Sequence, residues 1–73
     1  MLKYYQERNG DYLCIETTQV RKGTNQKLYS GRATAIRNDL TSVCTTEVGS
    51  RFLMGCQKRK LKDVPKEWQA RFF

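Results

Sequence analysis

Chemistry in this chain has to come from three cysteines, seven carboxylates and fourteen Lys/Arg side chains, because there is no histidine. The commonest general base and metal ligand is therefore missing. Cys14, Cys44 and Cys56 are an odd, widely spaced set with no Cys-x-x-Cys pair. Structural zinc takes four N/S ligands, usually in close pairs, so the three read as buried free thiols acting as small hydrophobes. A nucleophilic cysteine needs an activating base or a lowered pKa, and no neighbouring residue supplies one. Among the carboxylates, Glu7, Glu16, Glu47 and Glu67 are the candidates for an acid–base pair. Glu16 is expected to pair with Lys3, however, and Glu67 falls in a short helix. No phosphate loop, dinucleotide glycine pattern or nucleophile elbow occurs, and Gly49 and Gly55 are isolated glycines. The inventory predicts no enzyme: no catalytic residues, no cofactor and no metal.

The basic residues carry a clearer pattern, and the formal net charge is +7. Between Glu16 and Asp39 there is no acid, while Arg21, Lys22, Lys27, Arg32 and Arg37 are all basic. A second acid-free window between Glu47 and Asp63 holds Arg51, Lys58, Arg59, Lys60 and Lys62. If the fold brings the windows together they form one positive surface, suited to nucleic acid (DNA or RNA) or to an acidic protein surface. Lys58-Arg59-Lys60-Leu61-Lys62 is the densest run. Basic runs of this length contact phosphates or simply stay solvated.

Tyrosines are interleaved with these charges. If Tyr4, Leu13 and Ile15 share a core-facing side of a hairpin, Tyr5 and Tyr12 face outward. Outward tyrosines on a basic sheet can stack unpaired bases, at about 1–3 kcal/mol per base, while Lys and Arg neutralise phosphates. The same residues also suit protein interfaces, or are simply good strand formers. The candidate binding residues are thus Tyr5 and Tyr12 with Arg21, Lys22, Lys27, Arg51, Lys58, Arg59, Lys60 and Lys62.

The elements that must position them begin with Asn9-Gly10, the preferred centre of a type I′ hairpin turn. With that turn, Lys3 faces Glu16, Tyr5 faces Cys14 and Tyr4 faces Ile15. Alternation extends the second strand to about Val20, and a third runs over 27–37. Gly31 inside it predicts a bend or a close backbone approach. Thr41 to Val48 is rich in Thr, Ser and Val, which favours a strand; the alternative is a helix over 39–48 capped by Asn38 or Asp39. Gly49-Ser50 then turns into a fifth strand over 51–58, with Val43 facing Cys56. The residues from Val64 to Phe73 read as a short helix entered by Pro65, with Trp68 and Phe72 on one face. So short a helix has to dock those aromatics on the sheet.

The expected fold is mainly β: one domain over 1–73, a small five-stranded antiparallel meander or an SH3/OB-like partly closed barrel with a short C-terminal helix. The alternative is α+β, with the helix near 39–48. No apolar run approaches a membrane span and the start has no apolar signal region, so the expected location is cytoplasmic, without membrane contact. In composition the chain resembles the very short basic proteins of phages and mobile elements, although no motif carries that assignment. Two functions follow as expectations: a small basic nucleic-acid-binding module, with regulation among the roles open to it, or an interaction module of the phage-inhibitor kind that covers an acidic patch on a larger protein.

Overall fold

Residues rich in Thr, Val, Ile and Tyr form strands because branched and aromatic side chains fit a half-buried pleated surface. The computed structural model describes residues 2–72. Its elements are β1 (Leu2–Gln6), β2 (Tyr12–Lys22), β3 (Lys27–Ile36), β4 (Ser42–Gly49), α1 (Ser50–Met54), β5 (Gln57–Arg59), a 3₁₀ turn (Leu61–Asp63) and α2 (Lys66–Gln69). All strand pairings are antiparallel, in one sheet of order β4-β3-β2-β1-β5. The fold is thus mainly β, and the sheet is partly closed rather than a sealed barrel. Four strands form a meander, and β5 returns by a longer connection through α1 to lie beside β1.

The first hairpin differs from the expected turn. Gly10 N donates to Glu7 O (2.9 Å), Glu7 N donates to Asp11 O (2.8 Å), and Gly10 has φ +95°. This is a three-residue loop with one left-handed residue, where a type I′ turn would need two. The register moves by one, pairing Lys3 with Ile15, Tyr4 with Cys14 and Tyr5 with Leu13. Because side chains alternate, that slip transfers Tyr5 to the side of Leu13 and Ile15, and Tyr4 to the side of Cys14 and Tyr12. Glu16 faces Leu2, not Lys3.

The β3–β4 loop repeats the device with Leu40 at φ 67° in the left-handed position. The two loops are tied together: Asn38 N donates to Asp11 Oδ1 (3.1 Å), and Asn38 Nδ2 donates to Asn9 O (3.3 Å). Gly31 meets its expectation. It has φ +150°, it lies where the pairing of β3 shifts against both β2 and β4, and a side chain there would run into the backbone of Glu16 and Thr18.

Both faces of the sheet are covered, which explains the unbroken buried run Leu13-Cys14-Ile15. One side buries Tyr5, Leu13, Ile15, Ala33 and Val48, with Leu53 and Cys56 packed over them. The other buries Cys14 and Ile36 beneath Val64 and Phe72, with Tyr4, Tyr12, Leu40 and Trp68 around them. The aromatic docking expected of the C-terminal segment is therefore present, although α2 itself is only Lys66–Gln69. Gln69 Nε2 holds the segment by donating to Leu61 O (3.0 Å) and Val64 O (2.8 Å). The expected end of that helix at Phe73 lies outside the described residues.

Two expectations concern the middle of the chain. The residues Ser42–Gly49 are a strand, so the α+β alternative is not the fold. A fifth strand over 51–58 hairpinned to β4 is not formed. Arg51, Leu53 and Met54 are good helix formers and enter α1. The chain thereby crosses from the β4 edge to the β1 edge, and Val43 faces Ala35 where Cys56 was expected. Ser50 Oγ accepts from Lys27 N (3.0 Å) and Gln26 Oε1 accepts from Arg51 N (3.1 Å), anchoring the start of that crossing to the β2–β3 turn. Among the described residues no helix is long and apolar enough to cross a membrane.

Candidate functional site

The short strand β5 places the basic run. Lys58 stands opposite Tyr5 and Arg59 opposite Tyr4, so alternation sends the two cations to opposite sides of the sheet edge. Lys60 follows at the end of β5, and Lys62 sits in the 3₁₀ turn, which Asp63 stabilises by accepting from Lys60 N (3.1 Å). Lys3 of β1 lines the same shallow groove as Lys58, Arg59 and Lys60, together with Leu2 and Leu61. Among the described residues no carboxylate lies within ion-pair distance of Lys3, Lys58, Arg59, Lys60 or Lys62. Arg59 is nonetheless held in place. Its Nε donates to Gln6 Oε1 (3.0 Å), and its terminal nitrogens donate to Gln57 Oε1 and to Lys58 O. These acceptors are all neutral, so the guanidinium is oriented while its charge is left uncompensated.

Beyond Gln57 the edge continues into two hollows. A smaller one is lined by Gln6, Glu7, Arg8, Gly10, Gly55 and Gln57. It shares Glu7, Arg8 and Gly55 with a larger groove of about 680 Å³, walled on one side by the β1–β2 loop and on the other by Arg51, Phe52, Met54 and Cys56. Phe52 is 51% exposed and Met54 84%, because a five-residue helix can turn only Leu53 inward. Glu7 is the carboxylate of both hollows. Burial raises its pKa, the neighbouring Asp11 charge raises it further, and Arg37 opposes both.

The structure divides the ten predicted binding residues. Lys58, Arg59, Lys60 and Lys62 lie together, and Arg51 lines the larger groove at the other end of the same edge. Tyr5 does not face outward. It is 8% exposed, inside the core with Leu13 and Ile15. Tyr12 is half-buried, its ring 5.0 Å from that of Trp68 in an edge-on contact at 83°. Neither is a stacking platform, and the one-residue register shift together with the docked C-terminal segment is the physical reason. Lys22 and Lys27 face each other at the far end of the β2–β3 hairpin. Measured along β2 from Ile15, the partner of Lys3, Lys22 lies on the order of 20 Å away at about 3.3 Å per residue. Arg21 is committed to Glu47, with Nη2 to Oε2 at 2.6 Å, and that bond holds Glu47 below the usual carboxylate range. The two acid-free windows thus meet only where Ser50 and Arg51 hydrogen-bond to Lys27 and Gln26 at the β2–β3 turn, while the Lys58–Lys62 run lies apart, and the first window is partly neutralised by an acid outside it.

Lys3, Arg8, Phe52 and Met54 were not among the predicted residues. Lys3 was assigned to Glu16 by the wrong register. Phe52 and Met54 fell within the strand expected over 51–58, and only a helical reading of Arg51–Met54 would have shown them exposed. The thiols are free: Cys14 buried, Cys56 half-buried and Cys44 exposed. Among the described residues no three His, Cys, Asp or Glu side chains come together as a metal site.

The fold and this edge define a small antiparallel β protein with a cationic groove system along β1 and β5. In comparisons with known proteins, no family model, no curated protein and no solved structure matches the chain.

Proposed function

We propose that this protein is a non-catalytic module that binds nucleic acid through phosphates laid along the β1–β5 edge. The observation that carries the reading is the group of cations at one groove of this edge, Lys3, Lys58 and Lys60 with Arg59 on the opposite side of the strand from Lys58, uncompensated by any described carboxylate and with Arg59 pre-oriented by Gln6 and Gln57. Salt-bridged cations would have to give up a partner before meeting a phosphate; these do not. Pre-orientation lowers the ordering cost that a long side chain otherwise imposes on binding. The free thiols suit a reducing compartment, so the reading carries a cytoplasmic location with it.

The test is a salt titration of oligonucleotide binding. Each neutralised phosphate releases counterions, worth about 0.9 in the slope of log K against log salt on duplex DNA and about 0.7 on single strands. Replacing Lys58, Arg59 and Lys60 together with Ala should flatten the slope by roughly 2–3 units. Replacing Lys22 and Lys27 should change it little. Wild-type binding undetectable at about 150 mM salt for every DNA and RNA tried would overturn the reading. An acidic protein surface would then be the better occupant, recognised by association that slows with added salt.

A further inference from the structure

We infer that the strand taken by this edge is single-stranded nucleic acid, with an unpaired base stacked on Phe52 in the groove beside α1. This rests on the nucleic-acid reading above and names the form of its ligand.

The groove lies beyond the end of the cationic edge: the intermediate hollow shares Glu7, Arg8 and Gly55 with the groove, and takes Gln57 from β5, the residue before Lys58 of the cationic edge. A backbone running past Lys60 and Lys58 is led to Arg8 and Arg51, which stand on opposite walls. The groove is open, so a base would lie against its wall with one face on a side chain rather than be enclosed. Its exposed ring is Phe52, with Met54 beside it, and neither is needed to cover the core that Leu53 and Cys56 close. Glu7 repels phosphate but accepts hydrogen bonds from a base's exocyclic amine. The groove therefore favours a base over the backbone, while Arg8 and Arg51 hold the flanking phosphates. A duplex keeps its bases stacked inside and presents Phe52 with phosphates and sugars alone. A single strand offers a free π-face.

The experiment is fluorescence anisotropy with one labelled oligonucleotide of about a dozen nucleotides, used single-stranded and annealed to its complement. Wild type should bind the single strand more tightly than the duplex at equal salt. Phe52→Ala should weaken single-strand binding by roughly 5- to 150-fold, with the salt slope and the thermal melt unchanged. Phe52→Tyr should retain most of the affinity. Single-strand binding unaffected by Phe52→Ala, or tighter binding of the duplex, overturns this inference while a steep, Lys58- and Lys60-dependent salt slope leaves the edge reading standing. Loss of all binding in the wild type removes both, and capture of an acidic protein that then depends on Phe52 would assign the groove to a protein partner instead.

Discussion

Replacing Gly31 with alanine tests whether the double irregularity at the centre of β3 is what shapes the sheet. A methyl group there would land on the carbonyl oxygen of Glu16 and come within 3.0 Å of Thr18 N, both backbone atoms of β2. Neither can withdraw without breaking the ladder that pairs Glu16 with Arg32 and Thr17 with Gly31. The φ of +150° is a second obstacle, since side-chain-bearing residues rarely adopt it. Backbone strain of about 1–3 kcal/mol and overpacking of about 1–3 kcal/mol together predict a loss of roughly 2–6 kcal/mol. A chain of this length has a total stability of about 4–11 kcal/mol. Gly31→Ala should therefore melt at least about 10 °C below wild type or fail to fold. Urea and thermal unfolding followed by Trp68 fluorescence and far-UV circular dichroism measure this, because Trp68 reports its contact with Tyr12. Gly55→Ala is the internal control. Its φ of −83° is ordinary and the added methyl would sit 3.5 Å from Phe52 O, so a gain of about 0.4–1 kcal/mol is expected. A Gly31→Ala melting point within about 2 °C of wild type would refute the argument, because it would mean that the backbone yields freely at the bulge.

Thiol chemistry and pH give two further outcomes. Without prior reduction, a thiol reagent should label exposed Cys44 first in the folded protein, whereas Cys14, whose burial pushes its thiol up to about 11, should be labelled only on unfolding; a chelator should leave the melting temperature unchanged. Because folding raises the Glu7 pKa, its contribution favours the folded state at low pH and is lost as pH rises through the folded value. Glu7→Gln should therefore melt higher than wild type at neutral pH and equal to it below the ordinary carboxylate range, as read by thermal melts across pH.

Local chemistry alone identified the first four strands over most of their true lengths, the close approach at Gly31 and the docking of Trp68 and Phe72. Each depends on neighbours in sequence or on the plain need to bury large apolar surface. It also marked Lys58 to Lys62 as the densest charge, and those residues remain the core of the candidate site. The registers and partners of the strands were beyond it. Asn9-Gly10 is compatible with a two-residue or a three-residue loop, and the choice moves Tyr5 from the solvent to the core. Arg51 to Met54 can be a strand or a turn of helix, and only the distance between the β4 and β1 edges selects the helix. The pairing of Arg21 with Glu47, and the alignment of Lys3 with Lys58 and Lys60, join residues far apart in the chain. Such contacts are set by how β5 closes on β1 and how β3 bends at Gly31, and period-2 alternation carries no information about either, because every register slipped by two residues satisfies it equally well.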